Sequence, residues 1–222
     1  MHKDVLKRSR ILIVDDHPIV RQGYAFVISS EDDLEVCGFA ASEMEAMEQV
    51  RSTRPDLVIV DLMLENGHGI ELLKRIARDF DATPTLVVSA YDELLYAERA
   101  LDAGASGYLN KHEATDALTD AMRQVLGGEI YLSVRMTKRI VHQKVHGDGV
   151  AGTNPLAVLS DRELQVLRFI GQGMATRHIA QQLSLSPRTV ERYRENIKHK
   201  LNLRSAIQLV QTATKWVLEE GV

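Results

Sequence analysis

Cysteine is nearly absent. The one thiol in 222 residues, Cys37, excludes an intramolecular disulfide framework and most multi-cysteine metal sites, and places the chain in a reducing, cytoplasmic setting. Aromatic residues make up only 5%, there are five prolines, and no apolar run approaches the ~20 residues of a membrane span. The basic opening MHKDVLKRSR meets only Ile11 to Val14 before Asp15 and Asp16 interrupt it, so no secretory signal fits. What is present is globular: 45% hydrophobic and 26% charged residues exclude disordered and collagen-like classes. The length allows one large domain or two small ones.

The net charge of −4 hides a division. Residues 1–130 hold 13 Lys+Arg against 24 Asp+Glu, net −11, whereas residues 131–222 hold 14 against 7, net +7. Opposite signs in two halves of one chain imply two domains with different partners. The basic half is a candidate for binding a polyanion such as nucleic acid.

The first half alternates short apolar runs with amphipathic segments. Ile11–Val14, Leu57–Val60 and Leu86–Val88 are uninterrupted by charge, as strands covered on both faces require, and Leu34–Ala40 and Gly107–Leu109 complete a set of five. Helical periodicity lies between them at about 18–29, 43–53, 67–79, 92–103 and 113–127. Five such repeats predict an α/β fold with a doubly wound, five-stranded parallel sheet over residues 1–130. Residues 131–157 read as a helix at about 133–144 followed by a Gly-rich linker at 145–157. Residues 158–222 carry four helical patterns near 161–171, 175–183, 187–201 and 204–218. Ser160 with Glu163 spells a capping box, and Ser186-Pro187 an N-cap followed by an N1 proline.

Ligand sites in an open parallel sheet gather at the carboxyl edge of the strands. Asp15 and Asp16 follow the first strand, Asp61 the third, Ser89 the fourth and Lys111 the fifth. Carboxylates at neighbouring strand ends repel unless a cation lies between them, and a hard oxygen-binding ion such as Mg²⁺ suits them, with the Met63 carbonyl as a further ligand. A carboxylate so placed can attack a phosphoryl group while cation and lysine neutralise its oxygens and the hydroxyl bonds it. Asp61, alone at mid-sheet, is the expected nucleophile. A strand-terminal Asp is often only a helix cap, and an Asp-Asp pair alone is weak; the ordered set of five positions carries the reading.

The order ILIVDDHPIVRQG, LVIVDLMLENGHG, LVVSA and GASGYLNK resembles the receiver domain of two-component response regulators, over residues 10–128. The resemblance implies a flavodoxin-like receiver phosphorylated on Asp61, with Mg²⁺ on Asp15, Asp16, Asp61 and Met63. It makes Ser89, Tyr108 and Lys111 the phosphoryl-contact and switch residues, and a sensor histidine kinase the phosphodonor. One position departs: the family often has proline where this chain has Glu65.

In the basic half, residues 187–201 divide cleanly on a helical wheel. Val190, Ile197 and Leu201 form one apolar stripe, with Arg188, Arg192, Glu195 and His199 opposite. That division fits a helix that reads the major groove of double-stranded DNA. Arg188 and Arg192 sit where bases are contacted; Thr189, Arg194, Lys198 and Lys200 suit phosphates, and Asn196 flanks the reading face. Glu191 and Glu195 would repel phosphates unless they are paired. The string LSDRELQVLRFIGQGMATRHIAQQLSLSPRTVERYRENIKHKLNL resembles the LuxR-type helix-turn-helix over residues 159–203, with Tyr193 where the family often has histidine. Together the two resemblances imply a NarL/FixJ-type response regulator.

The function so implied is a phosphorylation-gated transcriptional regulator, a homodimer when phosphorylated, with RNA polymerase as a further candidate partner and no membrane association. The last helix carries surplus apolar surface, and Ile207, Val210 and Val217 are assigned to dimerisation. The alternative is a regulator whose receiver answers a protein partner or ligand without phosphate. An enzyme is not expected: Met63 stands where a phosphotransferase or phosphatase would want a second acid, so slow self-dephosphorylation is the only activity anticipated.

Overall fold

The computed structural model describes residues 8–64, 69–146 and 154–220, which fall into two compact units, 1–142 and 143–222. Glu65 and most of the 145–157 linker lie outside the described residues.

The first unit alternates strands and helices: β1 (Ser9–Val14), α1 (Pro18–Ser29), β2 (Leu34–Ala40), α2 (Glu43–Thr53), β3 (Leu57–Val60), α3 (Gly69–Asp79), β4 (Thr85–Ser89), α4 (Glu93–Asp102), β5 (Gly107–Asn110) and α5 (Ala114–Leu126). All strand pairs are parallel, in the order β2-β1-β3-β4-β5. Central strands β3 and β4 are buried at every residue, which explains their charge-free sequences. Ile11, Ile13, Leu57, Ile59, Leu86, Val88 and Leu109 face Ile28 of α1 and Leu118 and Met122 of α5 in one apolar cluster. The alternate residues Leu12, Val14, Val58, Val60 and Val87 are equally buried on the opposite face. The strand order reverses between β1 and β3, which places a crevice at their carboxyl ends.

Beyond α5 the chain turns back along the exposed edge of β5. The Tyr108 amide donates to the Tyr131 carbonyl (2.9 Å) and the Tyr131 amide to the Ser106 carbonyl (3.1 Å), a one-residue bridge too short for sequence periodicity to register. Helix α6 (Val134–His146) follows; its Met136 is fully buried, and Arg139 approaches Glu98 of α4 at 3.9 Å.

The second unit holds a short 3₁₀ turn (Pro155–Val158), α7 (Asp161–Gly171), α8 (Thr176–Gln182), α9 (Pro187–Lys200) and α10 (Ala206–Glu220). Both expected caps form: Ser160 and Glu163 complete the capping box of α7, and Ser186 accepts from the Thr189 amide at the start of α9. Helices α7 and α10 meet where Gly171 has no side chain. A Cβ there would overlap the Ala213 carbonyl oxygen and lie 2.6 Å from Val217 Cγ2.

Alanine ordinarily favours a helix over glycine by about 1 kcal/mol. Here the overlap dominates, so Gly171→Ala is expected to destabilise the second unit by about 1–3 kcal/mol. Urea unfolding followed by the fluorescence of Trp216, the sole tryptophan and buried in this unit, measures it. A raised midpoint would mean that the two helices are free to separate.

Candidate functional site

The sheet register brings the expected acids and lysine to one edge. The Asp15 amide donates to the Ala40 carbonyl (3.1 Å), the Asp61 amide to the Val14 carbonyl (2.9 Å) and the Lys111 amide to the Ser89 carbonyl (2.9 Å), so each residue is pinned where its strand ends. Asp15, Asp61 and Ser89 are buried, and Asp16 is nearly so. Lys111 Nζ donates to Asp15 Oδ2 at 2.6 Å and to Asp61 Oδ2 at 2.7 Å. The Met63 amide donates to Asp61 Oδ1 (3.1 Å), and the Ser89 hydroxyl accepts from the Tyr91 amide at 3.4 Å. Arg21 was not anticipated; it reaches from α1 to the Asp15 carbonyl at 2.5 Å.

The electrostatics are unbalanced. Burial pushes the Asp61 carboxyl up, the Lys111 ammonium opposes that shift, and the Asp15 charge adds to it. Burial works against the Lys111 ammonium, yet Asp61 and Asp15 outweigh it and hold its pKa above the ordinary lysine value. Tyr24 of α1 registers the same negative field: burial first, then Asp15 and Asp61, push its hydroxyl up. Three carboxylates face one ammonium, which leaves a deficit that one divalent cation would balance. Asp16 Oδ1 is buried and accepts no hydrogen bond, and it belongs to a group, with Asp15, His17 and Asp61, whose potential ligand atoms lie within 4.8 Å of one another. Oxygen donors in this arrangement fit Mg²⁺.

Tyr108 is buried, its ring inside the unit and its hydroxyl donating to the Tyr91 carbonyl at 2.8 Å. Tyr91 in turn stacks on Tyr96 of α4, ring centres 4.4 Å apart. The residue expected as the aromatic switch thus lies inside the unit and joins the segment after Ser89 to β5.

In the second unit, α9 buries Val190 and Ile197 and exposes Arg188, Arg192, Glu195, Asn196 and His199. The two glutamates are paired. Glu191 accepts from the Thr176 hydroxyl of α8 (2.8 Å) and lies 3.5 Å from Arg194, while Glu195 lies 2.8 Å from Lys198. Arg188 and Arg192 form no ion pair among the described residues, which leaves the outer face positive. Lys200, expected at a phosphate, has a partner within its own unit. Its ammonium sits 2.7 Å from the buried Glu163 carboxylate and ties the end of α9 to the cap of α7. Sequence reasoning missed this partner because Glu163 was already explained as a cap.

Helix α10 exposes Ile207 (71%), Val210 (42%) and Leu218 (75%) along one strip. Val217, grouped with the first two from sequence, is buried instead and faces α7 at Gly171; the helix turn that carries it points into its own unit.

Comparison with known proteins bears on both units. Residues 11–123 match the response regulator receiver domain, and residues 157–213 the bacterial regulatory proteins of the luxR family. The oxygen regulatory protein NreC of Staphylococcus carnosus is 36% identical over 210 residues, spanning 93% of this chain and 97% of that protein. NreC of Staphylococcus aureus is 34% identical over 215 residues, 95% of this chain and 99% of its own. Among solved structures, a LuxR-family two-component response regulator from Aurantimonas superposes with a TM-score of 0.59 at 34% identity, over 63% of this chain and all of that one. RcsB of Salmonella enterica serovar Typhimurium, solved on promoter rprA with the phosphomimetic BeF₃⁻, gives a TM-score of 0.69 over 94% of this chain and 99% of its own. At 23% identity it attests the shared fold alone.

Removing the Lys111 ammonium leaves Asp15 and Asp61 facing each other. In chelator-containing buffer Lys111→Met is expected to cost the first unit about 3–5 kcal/mol in urea unfolding followed by circular dichroism. Adding Asp61→Asn should recover part of that loss. Equal stability of the single and double variants would show that Lys111 is not restraining this repulsion.

Proposed function

The chain belongs to the response regulators that join a receiver domain to a LuxR-type DNA-binding domain, and from that premise we propose that a phosphoryl group on Asp61 gates transcription through α9. The domain limits proposed are 1–130 for the receiver, 131–157 for the connector and 158–222 for the DNA-binding part. The observation that carries the reading is the Lys111 ammonium bonded at once to Asp15 and Asp61 on the carboxyl edge of the sheet.

An Asp61 carboxylate oxygen forms the new bond to phosphorus as the bond from phosphorus to the donor breaks, with the phosphohistidine of a sensor histidine kinase as donor. Mg²⁺ held by Asp15, Asp16, Asp61 and the Met63 carbonyl supplies positive charge to the transferred oxygens when bound. Lys111 exchanges a carboxylate contact for the phosphoryl group, and Ser89 donates to it. Met63 offers no acid or base to activate water, so the aspartyl phosphate turns over slowly. Tyr108 holds the inward position that accompanies phosphorylation, and the added charge of about two units favours it.

On DNA, Arg188 and Arg192 read base edges, Thr189, Arg194 and Lys198 meet phosphates, and Asn196 borders the reading face. Lys200 braces α9 through Glu163. Two copies pair through Ile207, Val210 and Leu218 of α10, which matches a dimer to two half-sites. The setting is the cytoplasm; no described helix is long and apolar enough to cross a membrane. RNA polymerase is the partner through which a bound dimer would act.

Incubation with acetyl phosphate and Mg²⁺ should add one phosphoryl group to the intact mass, and Asp61→Asn should abolish the addition. An unmodified wild-type protein would overturn the gating role. On a duplex selected by the wild-type protein from random sequences, Arg192→Ala should cost about 1–3 kcal/mol of discrimination against a mutated site. A uniform loss on all DNA would make Arg192 a phosphate contact.

A further inference from the structure

His17 has no part in the chemistry above, yet it stands at the mouth of the acidic cluster. Its amide donates to Asp15 Oδ1 at 2.8 Å, which anchors the residue just before α1. Its ring Nδ1 lies 3.2 Å from the same oxygen and 2.8 Å from Asp16 Oδ1. The carboxylate accepts, so Nδ1 donates in its 3.2 Å contact to Asp15, and Asp16 Oδ1 is left without an aligned donor. A divalent cation that displaces the Nδ1 proton would be shared by the ring and both acids. The ring is 59% exposed, so water can satisfy Nε2 while Nδ1 faces the acids.

We propose that His17 Nδ1 is a further ligand of the receiver's cation site and gives that site an added affinity for imidazole-accepting divalent ions such as Zn²⁺. The physical ground is donor type. Mg²⁺ takes oxygen ligands and gains little from an imidazole, whereas Zn²⁺ binds imidazole nitrogen well. All four potential ligand atoms, from Asp15, Asp16, His17 and Asp61, lie within 4.8 Å of one another, close enough to share one ion. The chain's response to phosphodonor would then depend on which divalent ion fills the site. This inference rests on the cation site proposed above.

The test uses the full chain. Pulsed EPR of the Mn²⁺-loaded protein should show the nitrogen modulation of a coordinated imidazole, lost in His17→Ala and in Asp61→Asn. Zn²⁺ affinity, measured by competition with a chromophoric chelator, should fall about tenfold or more in His17→Ala. Mg²⁺ affinity, measured by displacement of Mn²⁺, should be unchanged. Nitrogen modulation that survives His17→Ala, or equal losses of Zn²⁺ and Mg²⁺ affinity, would overturn the ligand role. Failure of Mg²⁺ to displace Mn²⁺ from the wild-type protein would instead overturn the cation site itself. Because the ring is mostly outside the core, the variant keeps its fold, and circular dichroism verifies it.

Discussion

The receiver is organised around a charge that its own fold cannot neutralise. Asp15, Asp16 and Asp61 are gathered at one sheet edge, and Lys111 is the sole ammonium bonded to them among the described residues. Unit charges about 4 Å apart interact by about 4 kcal/mol at an effective dielectric near 20. Two attractions from Lys111 therefore exceed the repulsion between Asp15 and Asp61, and the unit can fold. Asp16 is left over, and burial together with the Asp15 charge pushes the Asp61 carboxyl up. A divalent cation, and then a phosphoryl group, would each change that same charge balance.

That balance can reach the rest of the molecule because the residues that sense it are linked through backbone. Ser89 ends β4, and its hydroxyl accepts from the Tyr91 amide; the Tyr91 carbonyl accepts from Tyr108 on β5. Tyr108 also donates its amide to Tyr131, where the chain is leaving the receiver. One residue thus bonds the active edge through its hydroxyl and the departing chain through its amide. The buried Met136 and the Arg139–Glu98 approach keep the start of α6 on the same side as α4. A movement of the Tyr108 hydroxyl would alter its bond to Tyr91 and, through it, the packing of Tyr91 on Tyr96 of α4.

Much of this was legible in the sequence, for reasons that differ by residue. Leu57–Val60 reads as a buried strand because both faces are covered and no charge is tolerated there. Asp61 and Lys111 read as site residues because strand ends converge on one edge in any sheet of this winding. Caps at Ser160 and Ser186 are local, and local rules found them. What escaped depends on contacts distant in sequence. Tyr131 pairs with β5 through one residue and leaves no alternation to detect. Lys200 looks like any basic residue at a helix end until Glu163, far away in sequence, is seen to hold it. Val217 shares its apolar character with the exposed strip of α10, and only the close approach at Gly171 turns it inward.

A helix containing two glutamates can face a polyanion when both are paired, as they are in α9. Counting charges along α9 treats Glu191 and Glu195 as penalties. In three dimensions each is spent on holding the motif: Glu191 links α8 to α9 through Thr176 and meets Arg194, and Glu195 meets Lys198. The cations they engage are the half-buried ones, whereas exposed Arg188 and Arg192 form no ion pair among the described residues. Exposed pairs are weak and yield to a phosphate when one arrives. Raising the salt concentration should therefore weaken phosphate contacts steeply through counterion release, and weaken less the tie of Lys200 to the buried Glu163 carboxylate, which positions α9 on α7.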